Sequence, residues 1–194
     1  MPIKLIRPTS AEWLAKVLSN FDEFLLDHAA NEKKASSMAL SMVAHYPDKK
    51  KLTSAMIDLA LEELNHFRQV FRLTCKRGLS LTDDQKDPYV NGLHKHLRRQ
   101  SKQSNEYLLD RLLSAAVIET RGAERFTLLA KQLSDPMLQT FYQTLAKSEY
   151  SHGDLFIDLA DCYFSSEQVN QRLAQWVQIE DNVLQSLSIR ARLH

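Results

Sequence analysis

Apolar residues recur at three- and four-residue intervals along five long stretches of the chain, and turn residues separate most of them. The first runs through Phe21, Phe24/Leu25, Ala29, Ala35, Ala39 and Met42/Val43, which is helical spacing, and stops at Tyr46-Pro47-Asp48. A short helix is predicted before it, opened by a capping box of Thr9 and Glu12. A second long helix is predicted from about Leu52 to Arg77 through Met56, Leu59, Phe67 and Val70, ending at Gly78. A third spans about Asn105 to Leu133 through Leu112, Ala116, Phe126 and Leu129, and stops at Ser134-Asp135-Pro136. The fourth starts at Pro136, a favoured first helical position, and reaches about Tyr163 with Phe141, Leu145, Phe156 and Leu159 inward. The last, Ser166 to Arg190, carries Val169, Leu173, Trp176/Val177, Val183/Leu184 and Leu187.

Between the second and third long helices lies a longer stretch, Leu79 to about Ser104. Two helical hairpins joined by one long crossover is the connectivity of a ferritin-like four-helix bundle. The expected fold class is therefore all-α, with a short N-terminal helix and a C-terminal helix added, in a single domain over 1–194. Composition agrees. Only 4 Gly and 5 Pro occur in 194 residues, too few turn residues for a many-stranded sheet or a Gly-rich phosphate loop. Hydrophobic residues at 44% suffice for a core. The 25 basic and 24 acidic residues nearly cancel, so contact with nucleic acid would need a local patch. Cys75 and Cys162 form no C-x-x-C pair, which excludes zinc ribbons and rubredoxin-type sites and leaves them as packing residues. No signal-peptide core or membrane-length apolar run is present, and a cytoplasmic protein is expected.

The apolar stripes are broken by acids and histidines. Two Glu-x-x-His motifs occur, Glu63–His66 and Glu149–His152, where chance supplies roughly 0.4 in a chain of this composition. Residues at i and i+3 share one helix face, and here that face is the apolar one. Glu32 interrupts the stripe between Ala29 and Ala35, and Glu119 does so after Ala116. Residues equidistant from the turn of an antiparallel hairpin lie at one height. The midpoint of Glu32 and Glu63 is 47.5, at Pro47-Asp48, and that of Glu119 and Glu149 is 134, at Ser134. Each glutamate thus faces its Glu-x-x-His partner, about 22 Å from the turn at 1.5 Å per residue.

Four ionised carboxylates in one core cost several kcal/mol each in desolvation unless cations neutralise them. No Lys or Arg interrupts the stripes at these levels, which argues against an all-protein ion-pair network. Four carboxylates and two imidazoles match a dinuclear iron or manganese site with Glu32, Glu63, His66, Glu119, Glu149 and His152 as ligands. His28, one turn before Glu32, either holds that carboxylate or is an ordinary core histidine. Glu124 lies off the stripe, Glu62 points away from it, and Lys49-Lys50-Lys51 reads as a solvated run. Gly122, Ala123 and Gly153 beside the ligands either leave room near the metals or serve close helix packing. The crossover carries one basic patch, Leu93 to Lys102, with Lys95, Arg98, Arg99 and Lys102 and no acid. It is either a solvated face or a place for RNA phosphate.

Glu32 in HAANEKKAS, Glu63 and His66 in LALEELNHF, Glu119 in IETRGAERF, and Glu149 and His152 in KSEYSHGDLF resemble the tRNA-(2-methylthio-N6-isopentenyladenosine) hydroxylases. The resemblance covers nearly the whole chain. It implies a di-iron monooxygenase that uses dioxygen and two electrons from a reductase system to hydroxylate the isopentenyl group beside the tRNA anticodon. Glu63 and Glu149 would bridge the irons, Glu32 and His66 would complete one, and Glu119 and His152 the other. Lys95, Arg98, Arg99 and Lys102 would meet tRNA. The competing classes are a ferroxidase or iron-storage protein and a manganese peroxide-dismuting protein. The missing C-x-x-C pair speaks against rubrerythrin.

Overall fold

A computed structural model describes residues 3–98 and 104–194, so Arg99 and Lys102 of the predicted basic patch lie outside the described residues. Among the described residues there are seven helices and no strand: α1 (Ala11–Ser19), α2 (Phe21–His45), α3 (Lys50–Lys76), α4 (Pro88–His94), α5 (Asn105–Gln132), α6 (Pro136–Tyr163) and α7 (Ser166–Gln185). None of them is long and apolar enough to cross a membrane. The chain divides into two compact units. One comprises Ala15–Gln85 with Arg190–Leu193, and the other holds the rest of the described chain.

The first unit is built on the α2/α3 hairpin. α2 buries Phe24, Leu25, Ala29, Ala39 and Met42, and α3 buries Leu52, Met56, Leu59, Ala60 and Val70. At the Pro47 turn the Tyr46 carbonyl accepts from the Lys49 amide at 3.1 Å and from the Thr53 hydroxyl at 3.3 Å. Ser36 donates to the Ala60 carbonyl at 2.8 Å, a contact that two small residues permit between helices. α3 stops where expected. Gly78 takes φ +72°, a left-handed conformation that a side chain resists, and the Leu79 amide turns back to the Thr74 carbonyl at 3.0 Å.

The second unit holds the α5/α6 hairpin, with α4 and α7 packed on it. Asp135 caps α6 by accepting from the Met137 amide at 2.8 Å, with Pro136 at the first position. A Cβ at Gly153 would lie 3.2 Å from Thr120 Oγ1 and 3.5 Å from the Ala116 carbonyl, so α6 crosses α5 closely there. A Cβ at Gly92 would lie 2.7 Å from Val183 Cγ1, where α4 meets α7. α7 opens with a full capping box of Ser165 and Gln168.

Four details differ from the sequence expectations. α1 is capped by Ser10, whose Oγ accepts from the Trp13 amide at 3.1 Å; Thr9 instead donates from both amide and hydroxyl to Glu124. Tyr142, not Phe141, is the core aromatic of early α6; it lies three residues before Leu145 on the stripe that continues through Glu149, His152 and Phe156. α7 ends at Gln185, and Ala191 and Leu193 are buried by the irregular tail that follows. Cys75 and Cys162 are both exposed, so they do not serve as packing residues. The crossover also contains a helix, α4, started by Asp87 accepting from the Tyr89 and Val90 amides.

Candidate metal centre

Glu63 and His66 share the inward face of α3, and Glu32 reaches the same level from α2. All three are buried. His66 Nδ1 lies 3.4 Å from Glu63 Oε2 and 3.7 Å from Glu32 Oε2. Burial alone would lower the pKa of His66, but the Glu32 and Glu63 carboxylates overcome this and raise it from 6.5 to about 10. The two carboxylates therefore favour a positive charge at this spot. A proton on His66 meets that need, and a metal ion held by the same three side chains meets it instead. His28 Nε2 lies 2.6 Å from Glu32 Oε1 with both side chains buried, a contact that satisfies the ring in the core and orients that carboxylate.

The second unit presents a matching set. Glu119 comes from α5, and Glu149 and His152 from the facing side of α6, all buried. Ligand-capable atoms of the three lie within 4.8 Å of one another, as do those of Glu32, Glu63 and His66. His152 Nδ1 is 3.8 Å from Glu149 Oε2, and Ser148 Oγ is 3.5 Å from His152 Nε2. Each triad offers two carboxylates and one imidazole, a donor set that suits iron or manganese. Gly122, one turn beyond Glu119, is buried, yet a Cβ there would meet nothing within 4 Å. The small residues thus divide: Gly153 permits close packing, and Gly122 leaves space.

Glu124 is engaged elsewhere, accepting from Thr9 and from Arg121 Nη1. Arg121 is fully buried and was missed as a structural element by the stripe reading. It donates to Glu180 from Nε at 2.8 Å and Nη2 at 3.0 Å, to the Arg7 carbonyl at 2.8 Å, and to Thr9 and Glu124. Tyr89 adds its hydroxyl to Glu180 at 3.2 Å. Asp110 was missed too. It is fully buried and accepts from Arg98 Nε at 3.0 Å, the Arg98 amide at 2.8 Å, Arg172 Nε at 2.6 Å and Trp176 Nε1 at 3.2 Å. Arg98, read as part of an unopposed basic patch, is thus paired with Asp110 and, at 3.4 Å, with Glu106. Lys95 and His96 remain exposed. The available signal was α5 itself, which is apolar on nearly every face around Leu108–Val117. A helix buried all round must pair whatever charge it carries.

Fold and donor sets together define an all-helical protein of the ferritin-like class with two buried carboxylate–histidine triads. A solved structure described as protein 43 with aldehyde deformylating oxygenase activity from Synechococcus matches with a TM-score of 0.92 and 33% identity, covering 99% of this chain and 96% of that one. The model of the tRNA-(MS[2]IO[6]A)-hydroxylase (MiaE) family matches residues 3–194, and the chain belongs to that family. It is 34% identical over 187 residues to the tRNA 2-(methylsulfanyl)-N(6)-isopentenyladenosine(37) hydroxylase of Pseudomonas putida, 96% of this chain and 89% of the relative. The enzyme of that name from Salmonella typhimurium is 32% identical over 168 residues, 87% of this chain and 60% of the longer relative.

Proposed function

We propose that this protein hydroxylates the isopentenyl group of 2-methylthio-N6-isopentenyladenosine next to the anticodon of tRNA, as a dioxygen-dependent di-iron monooxygenase of the cytoplasm. The family match over residues 3–194 carries this reading. In support stand the two buried triads of Glu32, Glu63 and His66 and of Glu119, Glu149 and His152. On this proposal the whole chain acts as one domain and the six side chains hold two irons between them, with Glu63 and Glu149 as the shared carboxylates.

Bound iron supplies the activation of dioxygen and the oxidation of a C–H bond. One oxygen atom enters that bond and the other leaves as water, with two electrons from a reductase system and two protons. The protein's own residues do the rest. Glu32 is kept in orientation by His28, and the charge of the carboxylates sets the affinity for the cation. The space at Gly122 admits a small apolar group or dioxygen. The base leaves its stack to bring that group inward, while affinity comes from phosphate contacts at Lys95, Arg99 and Lys102, with Arg98 holding the end of the crossover on Asp110.

The test is single: iron-loaded protein, a reductase system and tRNA carrying the modified adenosine, with nucleosides analysed by mass spectrometry. A gain of one oxygen on the isopentenyl group is expected. Rapid iron oxidation or peroxide consumption with the nucleoside unchanged would instead identify a ferroxidase or a peroxide-dismuting protein.

A further inference from the structure

α7 meets the back of α5 through two ionic contacts of opposite polarity. Asp110 and Arg121 stand eleven residues apart on α5, within about 20° of one another around the helix, and so share one face. On α7, Arg172, Trp176 and Glu180 follow one another at four-residue intervals along one face. Arg172 Nε and Trp176 Nε1 donate to Asp110 Oδ1 at 2.6 Å and 3.2 Å, and Arg121 grips Glu180 from Nε at 2.8 Å and Nη2 at 3.0 Å. The order is acid then base along α5, and base then acid along α7. Sliding one helix past the other by a turn breaks both contacts, and exchanging the partners sets like charges together.

Arg121 leaves no donor unused. Its five N–H groups reach Glu180 twice, the Arg7 carbonyl, the Thr9 hydroxyl and Glu124. A planar guanidinium so held has one orientation, and it fixes the rotation of the helix that carries it. Glu119, two residues earlier, lies on the opposite face of α5. Around it, between Leu112 and Phe126, that face offers only Ala115, Ala116, Gly122 and Ala123, which form shallow ridges against a neighbouring helix. The Glu119 carboxylate stands about 5–6 Å from the helix axis, so a rotation of about 10° moves it by about 1 Å. Metal–ligand distances tolerate about 0.2 Å. A buried ion pair adds little net stability over apolar side chains of similar volume, because desolvation offsets the attraction. Direction is what the apolar side chains cannot supply.

We infer that Arg121 and Glu180 are positioning residues of the metal centre: α7 locks the rotation and height of α5 from behind, and so places Glu119 against Glu149 and His152. The inference rests on the proposed two-iron site.

Chelator competition and Mössbauer spectra of the iron-loaded full chain test it, without substrate. Tyr89→Phe/Arg121→Met/Glu180→Leu replaces the ion pair, and the hydroxyl that joins it at 3.2 Å, with apolar groups of similar size. Helicity and melting temperature are expected at or above the wild-type values. Iron affinity should fall about tenfold, and the Mössbauer lines should broaden as Glu119 takes more than one placement. Tyr89→Phe alone, with the Arg121–Glu180 fork intact, should keep wild-type affinity and line width. If the triple variant does not fold, Glu180→Gln decides by line width, since it gives up one of the two parallel bonds and keeps the side chain's volume. A folded triple variant with wild-type affinity and line width overturns the inference and leaves the two-iron site in place. So does a Glu180→Gln protein with wild-type lines. A wild-type chain that takes up no iron removes the site itself, and the inference with it.

Discussion

His28 Nε2 stands 2.6 Å from Glu32 Oε1 inside the α2/α3 hairpin, one helical turn apart and both removed from solvent. A buried imidazole that holds a carboxylate fixes the direction of its lone pairs, which is what a metal-binding acid requires. His28→Phe keeps a ring of similar size and removes the hydrogen bond. Iron affinity is expected to fall about ten- to hundredfold with the helical content intact. Competition with a chelator checks the first and circular dichroism the second.

Glu63 is the most buried acid of its triad. Glu63→Ala should strip at least one of two irons per chain, because the remaining donors lose charge and geometry together. Full retention of two irons and of activity, measured by elemental analysis and nucleoside assay, would sink its assignment as a shared carboxylate.

Gly122 and Gly153 should respond oppositely to alanine. At Gly122 the added methyl meets nothing within 4 Å, and helix propensity then favours the variant by about 1 kcal/mol. At Gly153 it would press on Thr120 Oγ1, which is tied at 2.8 Å to the Ala116 carbonyl, so the melting temperature should drop. Gly122→Leu should fill the space, lowering hydroxylation while iron content stays near wild type.

Asp110 makes a pH prediction. Burial works to raise its pKa, but Arg172 and Arg98 outweigh burial and hold it below the ordinary 3.8. A depressed carboxyl pKa contributes stability that is present in full above the ordinary value and is lost as pH falls below it. Asp110→Asn should cost about 2–4 kcal/mol at pH 7, less than the most buried pairs because Arg98 is one-third exposed. Denaturant titrations should show this difference shrinking below about pH 4.

Lys95→Ala should lower the salt dependence of tRNA binding by about one unit of slope, as the loss of one phosphate contact does. Arg98→Ala should also loosen the end of the crossover, since both the amide and the guanidinium of Arg98 are held by Asp110. An unchanged slope in Lys95→Ala would move the RNA surface elsewhere, with Lys49–Lys51 the next group to test.

What the sequence determined by itself was local in origin. Helix ends at Gly78 and Pro136 follow from backbone freedom and a missing amide, and the two Glu-x-x-His faces follow from 3.6 residues per turn. The pairing of Glu32 with Glu63 and of Glu119 with Glu149 needed only equal distance from a recognised turn. Tertiary structure decided the rest. Glu180 and Arg172, which meet Arg121 and Asp110 from α7, lie 59 and 62 residues away, and no periodicity within α5 indicates which charge will meet them. The distinct uses of Gly122 and Gly153 depend on how near a neighbouring helix comes. Whether Arg98 is a free charge or a tether was set by Asp110, which accepts from its guanidinium at 3.0 Å. Periodicity tells which face of a helix is inward, while helix rotation and approach, fixed only by packing of whole elements, choose the atoms each residue meets.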